Sequence, residues 1–534
     1  MKKIFIGIAM LLTLFCVSCS KENPYGKKIE ENLEMNVKIE DNYRNYYEIF
    51  VRSFYDSNKD GIGDLNGVTA KLDYIKDLGY NGIWLMPIHP SDSYHGYDVN
   101  DYYQVNSAYG TLDDFKKLSE ECHKRDIKLI IDLVLNHSGL NSTYFKRATS
   151  AYNKQFNGQP LTDQDKKYVD FYNFYPDKAS VPNGVTAYRP TGRKFYYEGN
   201  FSSNMPEFNC DSPYVLEEFQ NIIKFWLDNG ADGFRLDAVK YYYIGNNKKN
   251  VELLSKINEW TKKIKPDAYI VGECWDSKSI IEDYYESGCD SFFNFPASVS
   301  SSRSPMLNFT NRSGLSTYYS GLLSNADMAK GYIPAPFLDN HDTPRYTSPS
   351  SPHLSKYQFA LMAMMNGTIF TYYGDEVGLV GTNVSPNRDE DVRIPIRWGE
   401  ENGDCTIIAN ATNKDYPYPT VKEQMEDGNS LYNFYKKVLL VRNQNPEIAR
   451  GKIELIELDN EEKKLLFISK EYEASKIGII FNFSTNSDLV VDFKSQGFTE
   501  VTGQIVVDAS EEVYIGMQKN GSIKMPPLSI AIVK

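Results

Sequence analysis

Short apolar segments alternate with amphipathic stretches through most of this chain, and this alternation constrains its fold more than any other feature. The amphipathic stretches include 112–125, 214–229 and 251–264. Strands that alternate with helices form parallel sheets, and eight such units are typical of a (β/α)8 barrel. We therefore predict an α/β fold centred on a TIM barrel. The predicted strands lie at 46–54, 82–88, 129–135, 233–239, 269–275, 290–295, 336–341 and 368–373.

Two regions break the alternation. The segment 138–211 is far longer than an ordinary connection and is rich in Tyr, Asn and Gly, which predicts a small domain inserted after strand 3. After residue 445 the helical pattern stops, and alternating apolar runs predict a C-terminal antiparallel β-sandwich. A chain of 534 residues is long enough for this division. The predicted domains are the barrel at 41–137 and 212–445, the inserted domain at 138–211, and the sandwich at 446–534.

The first 40 residues carry a targeting pattern rather than a fold pattern. Lysines precede the apolar stretch 4–17, which is too short to span a bilayer and is placed like a signal peptide. Small residues followed by Cys19 resemble the cleavage site of a bacterial lipoprotein, so we predict a signal peptide at 1–18 and a lipid on Cys19. The polar stretch 19–40 is predicted to be a tether. We expect a secreted bacterial lipoprotein, anchored to a membrane at the cell surface or facing the periplasm.

Composition excludes some classes of function. A formal net charge of −13 argues against nucleic-acid binding, because nucleic-acid binders are basic where they contact phosphates. The apolar fraction of 41% and the charged fraction of 24% are those of an ordinary globular protein, neither disordered nor fibrous. The cysteines beyond Cys19 are odd in number and widely spaced, so they predict neither a disulfide framework nor a zinc motif. They lie at positions 122, 210, 274, 289 and 405.

Polar side chains follow several of the predicted strands. Arg235 and Asp237 are two residues apart in strand 4, so they lie on the same face of it. Unpaired buried charge is costly, and the pair is either structural, closing one end of the barrel, or functional. Three more strands end in the same kind of chemistry. These strand ends carry Asn136 and His137, Glu273, and His341 and Asp342. Because the carboxyl ends of barrel strands hold the active site in barrel enzymes, we predict that these residues form one.

Four of these strand-end stretches occur in a recognisable order. The segments 132–137, 233–237, 272–273 and 340–342 resemble, in sequence order, the four motifs of the α-amylase family, glycoside hydrolase family 13. The resemblance covers roughly residues 43–534. Together with the lipoprotein start, the chain is similar to the amylase lipoproteins of bacterial starch-utilisation systems. The resemblance implies the same barrel, inserted domain B and C-terminal sandwich.

The resemblance also implies a role for each carboxylate. Asp237 matches the nucleophile and Glu273 the general acid/base. Asp342 matches the third carboxylate, which holds sugar hydroxyls and stabilises the distorted ring. The side chains that match substrate-binding positions are His95, Tyr97, His137, Arg235, Lys240, His341 and Arg388.

The residues around two of the carboxylates fit these roles. Arg235 lies two residues from Asp237, and a nearby guanidinium favours the ionised state that a nucleophile needs. Val271 and Trp275 flank Glu273, and apolar neighbours raise a carboxyl pKa towards neutrality, as a general acid requires. Neighbouring strands lie about 4.8 Å apart, so their tips can bring two carboxyl groups to about 5–5.5 Å, the spacing of retaining glycosidases.

The resemblance implies a retaining, endo-acting hydrolase of α-1,4-glucosidic bonds in starch and maltooligosaccharides. Two alternatives use the same site: a neopullulanase-like or cyclomaltodextrinase-like hydrolase, and a 4-α-glucanotransferase. A non-catalytic glucan-binding protein is the rival from another class, and the intact carboxylates argue against it. The expected partners are the glucan substrate, the membrane through the lipid anchor, and components of a glucan-uptake system, with no nucleic acid.

An acidic loop after strand 1 predicts a Ca²⁺ site. Asp56, Asn58, Asp60, the carbonyl of Ile62 and Asp64 place oxygen donors at alternate positions around a glycine, as in the first part of an EF-hand loop. The glutamate expected at loop position twelve is absent, and a solvated acidic turn is the alternative. Related barrels bind Ca²⁺ with this loop. The resemblance implies a second Ca²⁺ site, which joins the barrel to domain B through Asn136 and Glu207.

Four positions depart from the family pattern. Tyr241 stands four residues after Asp237, where the family often has His. In the stretch 205–209, Glu207 and Phe208 stand where Asp and Leu are usual. Ile369 occupies a position that is commonly Pro. None of these positions is one of the three carboxylates, so the departures bear on substrate preference rather than on the reaction.

Overall fold

The computed structural model describes residues 23–30, 39–298, 324–348, 351–382, 389–413, 416–457 and 464–534. The predicted signal peptide, the lipid site at Cys19, most of the predicted tether and Arg388 lie outside these ranges. No helix in the described part of the chain is both long enough and apolar enough to cross a membrane.

Eight parallel strands form one sheet, which confirms the predicted barrel. In chain order they are barrel strands 1 to 8: Asn45–Ile49, Gly82–Leu85, Lys128–Leu133, Gly233–Leu236, Tyr269–Gly272, Ser291–Phe293, Ile333–Ala335 and Ile369–Tyr372. Strands 2 to 7 each pair with the preceding strand in the chain, and strand 8 pairs with strand 1. A single parallel bridge between Phe337 and Phe370 joins strands 7 and 8, so the sheet is nearly closed.

The interior of the barrel is filled by side chains from alternate positions of the strands. Tyr46 of strand 1 stacks on Tyr269 and on Phe370, with ring centroids 5.3 and 5.1 Å apart. Trp84 and Phe293 belong to the same cluster. Tyr47, the next residue after Tyr46, packs instead in the layer between the sheet and the helices. The alternation follows from the two-residue period of a strand and leaves only the carboxyl ends of the strands open.

Helices surround the sheet. The helix Leu112–Lys124 illustrates why they form where the sequence predicts them: Thr111 and Asp114 make a capping box at its start, and its buried face repeats at three- and four-residue spacing. The α-helices outside the inserted domain are Leu65–Ala70, Leu72–Leu78, Leu112–Lys124, Pro213–Asp228, Asn247–Ile264, Lys278–Tyr284, Asn325–Ala329, Pro352–Ala363, Val421–Glu426, Leu431–Gln444 and Glu447–Arg450.

Strand 7 is displaced from its prediction. The sequence places it at 336–341, whereas the structure places it at Ile333–Ala335. Pro336 has no amide hydrogen for a ladder, and beyond the bridge at Phe337 the chain enters a turn in which the amide of Asn340 donates to the Thr343 hydroxyl at 3.0 Å. The apolar run after Pro336 forms a buried loop beneath the cleft. Its residues are apolar because they are buried, not because they form a strand.

The inserted segment after strand 3 is a small α+β unit. It contains helices Thr143–Phe156 and Asp163–Val169 and an antiparallel sheet of strands Phe174–Tyr175, Tyr196–Glu198 and Ala187–Tyr188. An antiparallel bridge between His137 and Glu207 returns the segment to the end of strand 3. The segment therefore forms one wall beside the carboxyl ends of the barrel strands.

The C-terminal region consists of two facing antiparallel sheets, which confirms the predicted β-sandwich. One sheet has the order Lys452–Leu455, Leu465–Tyr472, Ser475–Asn482, Ser529–Val533 and Val501–Val506. The other has the order Lys27–Lys28, Gly516–Met517, Ile523–Met525 and Leu489–Val491. Phe467 and Ile480 of the first sheet pack with Ile523 and Met525 of the second in one buried cluster.

Residues 23–30 lie within the predicted tether 19–40 and are part of this sandwich. Lys27–Lys28 pairs with Gly516–Met517 as an edge strand. Tyr25 is buried, and its hydroxyl donates to Asp488 at 3.0 Å. The carbonyl of Ile29 accepts from the Gln504 amide at 3.0 Å. An edge strand exposes one side to water and can therefore consist of lysines. Its composition is then the same as that of a polar linker, which is why the sequence predicts a tether here.

We predict that a variant starting at residue 39 is less stable than one starting at residue 23. The shorter chain loses the edge strand and Tyr25, and burying one large apolar side chain contributes about 1.5–3 kcal/mol. Differential scanning calorimetry of both variants tests this expectation. Tyr25→Ala in the longer chain removes only the buried side chain and should also lower the melting temperature. Equal melting temperatures for the three proteins would show that residues 23–30 do not stabilise the sandwich.

Candidate active site

The carboxyl ends of the barrel strands surround a cleft of about 430 Å³. Most of the side chains that the sequence assigns to a site line this cleft: His95, Tyr97, His137, Asp237, Lys240, Glu273 and Asp342. Arg235 and His341 are fully buried directly behind these residues and contact them. The structure thus brings together the predicted residues of strands 3, 4, 5 and 7.

Arg235 is at the centre of the charged groups. One terminal nitrogen of its guanidinium lies 2.7 Å from Asp237 and 2.9 Å from Asp132, and the other lies 2.9 Å from Glu273. The Trp84 ring lies 5.2 Å from the guanidinium carbon. A buried cation without partners would be strongly destabilising, whereas this one has carboxylates from strands 3, 4 and 5. Because Asp237 and Glu273 contact the same guanidinium, their carboxyl groups are close neighbours.

Glu273 is a carboxyl group of the cleft that can hold a proton near neutral pH. Burial raises its pKa to about 7, and repulsion from Asp237 and Asp342 contributes, while Arg235 opposes the shift. The backbone N–H of Ala238, a residue with a positive φ of 48°, donates to Glu273 at 2.9 Å. Trp275, an expected cause of the shift, is 48% exposed and stacks on Phe295 instead. A carboxyl with this pKa can donate a proton and later accept one.

Asp342 has the opposite environment. Burial alone would raise its pKa, but the nearby His341 and Arg393 lower it well below its usual value. The His341 Nε2 lies 3.1 Å from Asp342, and an Arg393 terminal nitrogen lies 2.8 Å from it. Burial opposes protonation of His341, yet Asp342 and Glu48 raise the His341 pKa to about 10. Asp342 is therefore an ionised carboxylate between two cations.

The remaining predicted side chains complete the walls of the cleft. Tyr97 stacks on the His341 ring at 5.5 Å, and its hydroxyl donates to Asp132 at 3.1 Å. Burial lowers the pKa of His137, whose Nε2 has no hydrogen-bond partner among the described residues and is available to a ligand. Lys240 is held by Asp276 at 2.6 Å and by the carbonyl of Trp275 at 3.0 Å.

Sequence reasoning missed three charged residues of the site. Glu48 contacts His341, Asp132 contacts Arg235, and Arg393 contacts Asp342. Glu48 and Asp132 carry the signal that identified Arg235, a charge inside an apolar strand segment, and that signal was not applied to them. Arg393 lies in an irregular segment and has no local signal. The predicted Arg388, five residues earlier, lies outside the described residues.

One side of the cleft is aromatic. The ring of Phe201, from the inserted segment, lies 5.3 Å from His137 and 4.7 Å from Tyr241. Phe201, Tyr241 and Trp275 are exposed by 43%, 39% and 48%. Tyr241 follows strand 4 and Trp275 follows strand 5, so these two rings line the cleft near Asp237 and Glu273, and Phe201 lies beside them. Large exposed rings at a cleft suit the apolar faces of sugars.

The acidic loop Asp56–Asp64 has only oxygen donors, as Ca²⁺ prefers. Asp56 accepts from the amide of Asn58 at 3.1 Å, and Asp60 accepts from the amide of Ile62 at 2.8 Å. Asp64 caps the helix Leu65–Ala70. These contacts order the loop without a metal and leave further lone pairs on each carboxylate. In the described ranges, no group of three or more His, Cys, Asp or Glu side chains is arranged to hold a metal ion.

The residues of the second predicted Ca²⁺ site, Asn136 and Glu207, lie close together, and His137 and Glu207 form a bridge. The Asn136 Oδ1 is buried and has no hydrogen-bond partner among the described residues, so it can bind a cation. The Asn200 side-chain amide donates to Glu207 at 2.6 Å and to Glu198 at 2.9 Å. Burial and the neighbouring Glu198 raise the pKa of Glu207 to about 8. The second site stays a prediction.

Comparisons with known proteins agree with the geometry. The alpha amylase catalytic domain model matches residues 48–451. Alpha-amylase 3 of Dictyoglomus thermophilum is 36% identical over 457 residues, covering 83% of this chain and 85% of that protein. The 4-alpha-glucanotransferase of Thermotoga neapolitana is 28% identical over 466 residues, covering 84% and 97%. The solved structure of Eubacterium rectale Amy13B has a TM-score of 0.85 and 38% identity, covering 93% of this chain and 96% of that one.

The matched catalytic domain contains barrel strands 2 to 8 and the end of strand 1, the inserted segment and every carboxylate of the cleft. The site itself consists of three carboxylates with distinct environments at the carboxyl ends of barrel strands. The chain therefore belongs to the α-amylase family, glycoside hydrolase family 13, and is a glycoside hydrolase.

Proposed function

We propose that this enzyme is a retaining, endo-acting hydrolase of α-1,4-glucosidic bonds in starch and maltooligosaccharides. The observation that carries the proposal is that Asp237 and Glu273 contact one guanidinium, while burial raises the pKa of Glu273 to about 7. Carboxyl groups about 5–5.5 Å apart leave no room for a water molecule beneath the sugar and favour a covalent intermediate.

In the proposed reaction, Asp237 attacks the anomeric carbon while Glu273 gives its proton to the departing glycosidic oxygen. The bond from the anomeric carbon to that oxygen breaks, and the shorter glucan leaves with a free hydroxyl. Glu273, now a carboxylate, takes a proton from water as the water displaces Asp237. Two inversions at one carbon retain the α configuration. Arg235, 2.7 Å from Asp237, stabilises the negative charge that returns to the nucleophile when the intermediate is released.

Asp342 has the third role in this proposal. It lies between His341 and Arg393 as a carboxylate and accepts hydrogen bonds from hydroxyls of the sugar being cleaved. Tyr97 and His137 line the same part of the cleft. Contacts to these hydroxyls that strengthen as the ring flattens lower the barrier, because they favour the transition state over the bound substrate.

A second candidate is 4-α-glucanotransfer, in which a sugar hydroxyl rather than water attacks the intermediate. The exposed Phe201, Tyr241 and Trp275 that line the cleft favour a sugar as acceptor. The 4-alpha-glucanotransferase relative from Thermotoga neapolitana is consistent with this chemistry. Neopullulanase-like or cyclomaltodextrinase-like hydrolysis uses the same machinery. A product profile from amylose, pullulan and cyclodextrin separates the three activities.

We further propose that Cys19 carries the lipid of a bacterial lipoprotein and that Ca²⁺ binds the loop Asp56–Asp64. The first rests on the residues before Cys19 and implies a membrane-anchored enzyme at the cell surface or facing the periplasm, working beside a glucan-uptake system. The second rests on the alternating oxygen donors of the loop. Bound there, Ca²⁺ would stabilise the fold around strand 1 and take no part in the reaction.

Stereochemistry and mutation test the assignment of the two carboxylates. We expect the α-anomer to appear first, by proton NMR in the first minutes of maltooligosaccharide hydrolysis. Asp237→Ala should abolish turnover, and Glu273→Gln should lower kcat by about 10²–10⁴ with little change in substrate binding, because it removes proton transfer. Glu282→Gln, at a glutamate paired with Lys278 on the helix Lys278–Tyr284, is the matched control. A β-anomer appearing first would contradict the proposal.

The pH profile tests the role of Glu273. Glu273 must carry a proton to act as the general acid, and its pKa is raised to about 7. We therefore expect kcat/KM for maltooligosaccharides to fall as the pH rises through about 7. A 4-nitrophenyl maltooligosaccharide, whose leaving group departs without help from an acid, should show a weaker alkaline decline. Identical alkaline limbs for both substrates would indicate that another group controls the profile.

The Ca²⁺ proposal predicts a change in stability and none in chemistry. A ligand that binds only the folded state contributes about 2.7 kcal/mol at a hundred times its Kd. Chelation should therefore lower the melting temperature of the parent, and Asp60→Ala should remove most of that difference while leaving kcat unchanged. If the parent and Asp60→Ala respond equally to chelator, the loop is not the site.

A further inference from the structure

Glu48 is a buried charged residue to which the proposed reaction gives no role. It lies in barrel strand 1, Asn45–Ile49, every residue of which is buried, and is itself 1% exposed. Its register partner in strand 2 is Trp84, and in strand 8 Tyr372. A carboxylate in such surroundings is strongly destabilising unless it is paired.

Its partner is His341, on the loop after strand 7. The Glu48 Oε1 lies 2.5 Å from the His341 Nδ1. On the other side of the ring, Nε2 lies 2.6 Å from the Tyr97 hydroxyl and 3.1 Å from Asp342. Only an imidazolium carries hydrogen on both nitrogens, and here both nitrogens face acceptors. The geometry therefore favours a cationic His341 whose ring plane is fixed at both ends.

Every charged or titratable group around His341 comes from a neighbouring barrel element. Glu48 and Asp342 are negative; Arg393 donates to the His341 carbonyl at 2.9 Å and Arg235 is close enough to lower the Glu48 pKa. Tyr97 bridges His341 to Asp132. Burial raises the pKa of Glu48, and the imidazolium opposes that shift. The Trp84 ring closes the remaining side, with its centroid 5.7 Å from that of His341.

We propose that Glu48 is a positioning residue for the reaction: by accepting from Nδ1 it keeps His341 protonated and its Nε2–H directed at Asp342 and the cleft. The inference rests on the proposed role of Asp342 in holding the sugar. Glu48 touches no substrate and acts only through His341. Without it, His341 has one carboxylate neighbour instead of two, and burial then favours the neutral ring.

The loss of Glu48 should therefore make sugar affinity depend on pH. In the parent, His341 stays cationic up to a pH of about 10. In Glu48→Gln its proton is lost at lower pH, so affinity for the sugar should fall as the pH rises through the neutral range. Glu48→Asp keeps the charge, so it should bind more weakly than the parent without acquiring this pH dependence.

Binding of maltotetraose to a Glu273→Gln background tests the proposal, because that background slows turnover by about 10²–10⁴ and removes the titration of Glu273. By calorimetry, we expect affinity to change less than about twofold between about pH 6 and about pH 9 with Glu48 present. With Glu48→Gln, we expect affinity to weaken about tenfold over that range, the value of one charged hydrogen bond. Glu376→Gln is the control, since Glu376 is equally buried but bonds to Tyr47 and Tyr74 instead.

A spectroscopic readout separates this inference from the proposed function. The chain has six histidines, so the ring nitrogens of His341 can be followed by ¹⁵N NMR and assigned through His341→Asn. Imidazolium shifts at about pH 9 in the parent and neutral shifts in Glu48→Gln would support a positioning role even for an enzyme with other substrates. An imidazolium in both proteins, or equal pH dependence of binding in both, would overturn it.

Discussion

The buried Arg235 guanidinium is the interaction on which the rest of the site depends. It is fully buried, and it is tolerated because Asp132, Asp237 and Glu273 surround it. These carboxylates come from three adjacent strands, so their pairing requires a fixed register: Asp132 lies opposite Arg235 in the sheet, and Arg235 lies opposite Val271. A one-residue slip would turn every side chain of a strand to the other face and leave the cation unpaired. Closing the barrel and assembling the carboxylates are therefore one structural requirement.

Around this cation the protein gives its carboxyl groups opposite properties. Burial and like charges raise the pKa of Glu273, whereas two cations lower that of Asp342. Environments that separate the pKa values of neighbouring acids are what acid–base chemistry at one pH requires. Charged groups surround Asp342, and exposed aromatic rings line the same cleft. The cleft thus combines charges that can hold sugar hydroxyls with rings that suit the apolar face of a sugar.

Local sequence patterns predicted the barrel and most of its site residues. Barrel strands are short apolar runs that end at polar or turn-forming residues, and charged site residues are conspicuous within such runs. Arg235 and Asp237 could be identified in this way. Strand 7 was misplaced since a loop packed under the cleft is as apolar as a strand. The edge strand Lys27–Lys28 has no apolar pattern because it covers the sandwich only at its rim. The contact of Glu48 with His341 joins positions 293 residues apart, and a pairing of that separation leaves no local pattern to read.

The relatives of this chain bear the names of different activities: an alpha-amylase and a 4-alpha-glucanotransferase both align over more than four fifths of it. In the proposed reaction, water and a sugar hydroxyl would compete for the same glycosyl-enzyme, so the balance would depend on how well the cleft holds a sugar acceptor rather than on the carboxylates. The exposed rings that line the cleft here are Phe201 of the inserted segment and Tyr241 and Trp275 of the barrel loops. Substitutions there can change the acceptor without disturbing the buried charges, which is how one fold supports several reactions.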